Sequence, residues 1–263
     1  MDLQLKEKVV LLTGATSGIG EVTAHQFAKE GAHVIVTGRR KEKGEAVAKT
    51  LKEKGVKSLF LQMDVTDRDS ISNGYTKIKE EFGSLDVIVA NAGREQPHTL
   101  PIDQLDDDDM DIMIDTNLKG TWLTVKYGLP LLRRPGASII LLSTEWTFLG
   151  GAGLSAYTAS KTGINGLTRQ LAVEQGPLGV RVNCVSPGPI LTPMLERFTH
   201  NGDMSSFYEA NIPLQRAGES NEIADAILYF ASDRSSYVSG QILAVDGAMT
   251  VKMPTAGLAG KVQ

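Results

Sequence analysis

Short apolar runs recur along this chain and alternate with longer segments whose apolar residues fall three and four apart. The runs read as strands near Val9–Thr13, His33–Thr37, Ser58–Met63, Leu85–Ala90, Ser138–Ser143, Arg181–Val185 and Ile242–Val245. The intervening periodic segments predict helices near Gly18–Lys29, Glu42–Lys54, Arg68–Phe82, Asp106–Tyr127, Ser155–Glu174 and Asn221–Ala231. Runs that are apolar throughout suit strands covered on both faces, and the alternation with helices predicts βαβ units around a parallel sheet. No linker rich in Pro, Gly or Ser interrupts the pattern, so residues 1–263 are expected to form a single domain. The stretch from Pro187 to Ala217 breaks the rhythm with Pro187, Pro189, Pro193 and Pro213. It reads as a long loop at a strand's carboxyl end, where it would cover a site.

Composition narrows the function classes. The chain is 41% hydrophobic and 22% charged, with a net charge of −4 and no basic cluster, which argues against a nucleic-acid surface. No apolar run is long enough for a membrane span, and the polar start Met1–Lys8 does not read as a signal peptide. The lone Cys184 excludes an internal disulfide framework and fits a reducing, cytoplasmic setting. His25, His33, His98 and His200 show no zinc spacing, so no metal is expected. The run Asp106–Asp109 is better read as acids at the positive end of a helix than as ligands.

Two motifs carry the chemistry. Gly14, Gly18 and Gly20, with Thr16, Ser17 and Ile19 between them, follow the first strand and open the first helix. Glycines there let the backbone turn tightly and approach a pyrophosphate, while the helix N-terminus offers free N–H groups to the anion. At the end of the second strand stand Arg39 and Arg40, where a site for NAD would place an acid. Guanidinium groups suit a ribose 2′-phosphate, so NADP(H) is favoured over NAD(H).

The second motif is Tyr157-Thr158-Ala159-Ser160-Lys161, which sets a phenol and an ammonium on one helix face. The ammonium is expected to draw the phenol toward its anion, so that Tyr157 exchanges a proton with a carbonyl or alcohol oxygen. The same spacing occurs at Tyr75 and Lys79, in a polar helix that reads as a surface face.

With these motifs in order, together with Asp64-Val65, Asn91-Ala92-Gly93, Asn117 and Pro187-Gly188, the chain resembles the short-chain dehydrogenase/reductase family over about residues 7–250. The resemblance implies a doubly wound Rossmann-type parallel sheet of about seven strands and a homo-oligomer, tetramer or dimer. It implies Asp64 and Val65 at the adenine, and Asn91, Ala92 and Gly93 along the cofactor. Pro187, Gly188, Ile190 and Thr192 would lie at the nicotinamide. Asn117 would be catalytic, and Lys161 would hold the nicotinamide ribose and join Asn117 and a water in a proton relay. The family's usual serine lies 13 residues before the tyrosine, and here that position is Thr144, with Ser143 as the alternative. Threonine keeps the O–H needed to steady a developing oxyanion.

Arg94, Glu95, Glu145, Trp146, Phe148 and the 191–217 segment are expected to border the substrate. Glu145 either faces solvent, forms a polar part of the pocket or pairs with Arg94. Met249, Met253 and the tail Pro254–Gln263 are assigned to packing or an oligomer contact. The expected reaction is interconversion of a ketone and a secondary alcohol. Alternatives are a 3-oxoacyl thioester reductase docking a carrier protein through Arg133, Arg134 and Arg169, an NAD-dependent sugar or polyol dehydrogenase, and a dinucleotide-sensing regulator.

Overall fold

A computed structural model of the chain describes residues 2–199 and 202–253. The strands are β1 (Val9–Leu12), β2 (His33–Gly38), β3 (Ser58–Gln62), β4 (Val87–Ala90), β5 (Ser138–Leu142), β6 (Arg181–Pro187), β7 (Ile190–Leu191), β8 (Gly218–Glu219) and β9 (Ile242–Val245). The helices are α1 (Gly18–Lys29), α2 (Lys41–Glu53), α3 (Arg68–Phe82), α4 (Asp107–Met113), α5 (Gly120–Gly128), α6 (Ser155–Gln175), α7 (Pro193–Phe198), α8 (Ser205–Asn211) and α9 (Ser220–Ala231). The main sheet is parallel, in the order β3-β2-β1-β4-β5-β6-β9. This is the seven-stranded, doubly wound arrangement expected from the alternating pattern.

Each face of the sheet carries its own core. On one side Phe27 of α1, Leu51 of α2 and Ile227 and Phe230 of α9 pack on Val10, Val34 and Val36. On the other, Ile71 and Ile78 of α3, Leu123 of α5 and Ile164 of α6 pack on Leu11, Ile88 and Ile139. Full burial of side chains this size stabilises the fold by about 1.5–3 kcal/mol each. The order reverses between β1 and β4, and the crevice beyond their carboxyl ends is where sheets of this type bind ligands.

Four expectations are corrected here. The 106–127 helix is broken into α4 and α5 by a π-helical turn, Ile114–Lys119, which contains Asn117. β4 starts at Val87: Leu85 exchanges backbone hydrogen bonds with Leu131 and Arg133, and the Asp86 carboxylate takes the Val9 N–H at 2.8 Å and Arg133 at 3.0 Å. The 187–217 segment is not structureless, because β7 pairs with β8 and α7 and α8 lie between them. These elements are too short to show periodicity, although Thr192 as a cap before Pro193 is a helix-start signal. Tyr75 is not on a surface face: it is 4% exposed, donates to the Thr124 carbonyl at 2.5 Å and stacks on Tyr127. Ile71, Tyr75 and Ile78 form the one apolar stripe of α3, and burial drives the Tyr75 phenol's pKa upward.

Candidate active site

The glycine motif occupies the turn from β1 to α1. Gly14 has φ +66°, and a Cβ there would lie 2.8 Å from the Ala92 Cα, so the loop after β4 presses against the loop after β1. A Cβ on Gly20 would strike the Gly14 carbonyl and come within 2.6 Å of the Asn91 amide nitrogen. That amide bridges the Thr13 and Gly14 carbonyls at 2.9 and 3.2 Å, and the Thr13 hydroxyl takes the Ala92 N–H at 3.0 Å. Ser17, the residue before α1, makes no side-chain cap, leaving the first helical N–H groups for an outside acceptor. A phosphate fits these donors, and the crowding explains why small residues stand here.

The two arginines after β2 behave differently. Arg40 donates to the Thr16 hydroxyl at 2.7 Å and the Ser17 hydroxyl at 2.6 Å, clamping the glycine turn. Arg39 has a side chain 68% exposed and lies 3.9 Å from Asp64. The other Asp64 oxygen closes a local turn on Thr66, and Val65 is buried against Gly120.

On α6, Tyr157 and Lys161 stand one turn apart and both line a cavity of about 330 Å³. Thr144, Asn91, Gly93, Pro187, Gly188 and Ile190 also line it, as do Ile19 and Thr192. The Lys161 ammonium donates to the Leu142 carbonyl at 2.9 Å, and burial pulls its pKa down to about 8. Asn117 accepts from the Arg94 N–H at 2.9 Å and donates to the Ser160 hydroxyl at 3.2 Å. A Cβ on Gly93 would sit 3.2 Å from both Asn117 Oδ1 and Lys161 Nζ, so these two groups converge beneath that loop.

The Tyr157 phenol is pushed upward by burial and then by the charge of Glu145, with the Thr144 hydroxyl acting the other way. Desolvation dominates and Lys161 is not among the groups that act on the phenol, so the expected pull toward the phenolate is absent from the protein's own field.

The choice between the two hydroxyls is visible in their partners. Ser143 donates to the Lys161 carbonyl at 3.1 Å and braces α6. Thr144 is 4% exposed and points its hydroxyl to Glu145 within the cavity. Glu145 itself is 5% exposed, so it does not face solvent, and it pairs with Thr144 instead of Arg94. Burial raises its carboxyl pKa to about 7, with the Thr144 bond opposing and Asp246 adding to the rise. Trp146 lines the cavity, whereas Phe148 turns outward with 48% exposure.

Two residues at the site escaped the sequence reading. Gln96 accepts from the Tyr157 N–H at 3.0 Å and donates to the Gly153 carbonyl at 2.7 Å, fixing the start of α6. Arg197 on α7 grips Glu95, which lines the cavity, at 2.7 and 3.2 Å. Neither has a local signal, since each partner is distant in sequence.

Asp109 is buried and bonded to His98 at 2.9 Å, and Met249 is buried while Met253 is exposed. The tail Pro254–Gln263 and His200 lie outside the described residues. Among the described residues, no group of His, Cys, Asp and Glu is arranged to hold a metal, and no helix is long and apolar enough to cross a membrane.

A glycine-lined anion cradle and a half-buried tyrosine beside a buried lysine at the switch point of a parallel sheet define a dinucleotide-dependent oxidoreductase. The comparisons with known proteins narrow the class. A family model described as enoyl-(acyl carrier protein) reductase matches residues 14–250. The 3-oxoacyl-(acyl-carrier-protein) reductase of Thermotoga maritima is 36% identical over 95% of this chain and 100% of its own length. The cis-4-hydroxycyclohexanecarboxylate dehydrogenase of Sinomonas cyclohexanicum is 39% identical over 93% of this chain and 97% of its own. The crystal structure of levodione reductase superposes with a TM-score of 0.88 at 30% identity, covering 94% of this chain and 99% of that one. The chain belongs to the short-chain dehydrogenase/reductase family, whose members act on carbonyl and hydroxyl groups with NAD(P)(H).

Proposed function

We propose that this protein is an NADP(H)-preferring enzyme that interconverts a ketone and a secondary alcohol, with Tyr157 as the proton-exchanging group. The observation that carries this reading is the meeting of Thr144, Tyr157 and Lys161 in one cavity that Ile19 of the glycine motif also lines. When bound, the nicotinamide supplies or takes the hydride. Tyr157 Oη donates its proton to the carbonyl oxygen in reduction and regains it in oxidation. Thr144 steadies the same oxygen, Lys161 supplies positive charge beside the phenol, and Asn117 holds the Gly93–Arg94 loop against α6. Asp64 and Val65 serve the adenine, and Pro187, Gly188, Ile190 and Thr192 the nicotinamide end.

The chain works as one catalytic unit, in a reducing compartment suited to its single buried Cys184, and as a homo-oligomer. The carrier-protein reading has support in the name of the Thermotoga relative. Against it, Arg133 is engaged with Asp86 and Ser84, and Arg134 with Gln175 and the Leu129 carbonyl.

The first test is fluorescence titration with NADPH and NADH, followed by a carbonyl panel with the better cofactor. NADPH is expected to bind more tightly, and Arg39→Asp to weaken it by about 10- to 100-fold, the value of a charge-assisted contact of about 1.5–3 kcal/mol. Equal or tighter NADH binding would remove the phosphate role from Arg39, and a silent panel would reject the activity. Thr144→Val should cost on the order of 10²-fold in kcat/KM while Thr144→Ser keeps most of it. Near-normal rates in the valine variant would move the role to Ser143.

A further inference from the structure

Glu145 has no place in the proton exchange just described, yet it sits in the cavity wall beside the oxyanion-steadying hydroxyl. Its burial is unusual for a carboxyl group that has no cationic partner among the described residues. The groups that act on it are the Thr144 hydroxyl, nearby backbone N–H groups and the like charge of Asp246, with no lysine, arginine or histidine among them. Asp246 is already spent on the Ala248 and Thr250 N–H groups at 3.0 and 2.9 Å. Its present partner, Thr144, has a single O–H proton. When Glu145 is ionised, that proton points either to Glu145 or to a substrate oxygen, and it cannot serve both.

We propose that Glu145 sets the substrate class: a ketone bearing a hydroxyl on the carbon next to the carbonyl, with an otherwise apolar body, and in reverse the matching vicinal diol. The inference rests on the assignment of Thr144 to the reacting oxygen. A vicinal hydroxyl lies within hydrogen-bond length of the carbonyl oxygen it neighbours, as Glu145 does of Thr144. Donating that hydroxyl to Glu145 replaces Thr144 at the carboxylate and frees the Thr144 proton for the carbonyl. A ketone without the donor leaves Thr144 held by Glu145. A carboxylate or phosphate at that carbon would face a like charge once Glu145 is ionised. Trp146, Leu154, Met194 and Phe207 also line the cavity, beside the polar Arg94, Glu95 and Gln96, and fit an apolar or aromatic body.

The test uses three ketones that share a phenyl body: 2-hydroxyacetophenone, its methyl ether 2-methoxyacetophenone, and acetophenone. The ether keeps the inductive pull of the oxygen and loses only the donor. The wild-type enzyme is expected to prefer the hydroxy ketone over the ether by about 10- to 100-fold in kcat/KM. Glu145→Leu should bring the ratio close to one while cofactor binding holds. Glu145→Gln, which keeps shape and one acceptor oxygen, should lower it part of the way and serves if the leucine variant does not fold. A wild-type ratio near one, or a ratio unchanged in Glu145→Gln, overturns the proposal.

Calorimetry with 1-phenyl-1,2-ethanediol and 1-phenylethanol separates this inference from the proposed activity. Tighter, Glu145-dependent diol binding without turnover of any ketone rejects the activity and upholds the role of Glu145. Turnover without a Glu145-dependent preference does the reverse.

Discussion

Tyr157→Phe is expected to lower carbonyl reduction by about 10²- to 10⁴-fold, the range that a positioned proton donor supplies. NADPH binding should be almost unaffected, because the phosphate cradle is built from the β1–α1 turn and the arginines after β2, not from the phenol. The fold should tolerate the change, since phenylalanine keeps the volume and the helix is fixed through the Tyr157 N–H, which Gln96 holds whatever the side chain. Burial and Glu145 raise the phenol's pKa, so Tyr157 stays protonated through neutral pH and is ready to donate. Reduction is then not expected to lose rate through Tyr157 deprotonation in that range. The check is single-turnover NADPH oxidation beside a cofactor titration on the same preparation. Retained turnover would take the proton from Tyr157, whereas lost cofactor binding would make its role structural.

How far the sequence can be read depends on how local each determinant is. The glycine turn is legible because its meaning comes from an adjacent strand and helix, all within one short segment. Tyr157 and Lys161 are legible for the same reason, as a spacing on one helix. Tyr75 shows the limit: its local spacing is identical, and only the packing of α3 on the sheet, with Thr124 of α5 above it, separates a core tyrosine from a reactive one. Glu145 could not be placed by its neighbours in sequence, because its desolvation depends on the cavity walls and the like charge that adds to it comes from Asp246 after β9. The π turn around Asn117 is hidden likewise. Apolar spacing sets a helix there, and the extra residue that re-aims the asparagine is settled by tertiary contacts with α6.

Stability and activity are expected to part company at Lys161. Burial lowers this ammonium from the usual 10.5 to about 8, so below pH 8 the folded protein carries a desolvated charge. The shift corresponds to on the order of 3 kcal/mol of lost stability at neutral pH. Between pH 8 and 10.5 the unfolded chain holds a proton that the folded one has released, so stability rises with pH across that window. Lys161→Met removes the penalty and gives up a charge-assisted bond to the Leu142 carbonyl, worth about 1.5–3 kcal/mol. The two effects nearly offset, so the variant should melt no lower than the wild type below pH 8 and lose the rise with pH. Activity should nonetheless fall, by about 10²-fold or more, as the positive charge beside Tyr157 is lost. Thermal melts on both sides of pH 8, with kcat/KM measured on the same samples, check the two halves together. A variant that is less stable and inactive would make Lys161 a structural strut. One that is no less stable and still active would leave Tyr157 working without its neighbour's charge.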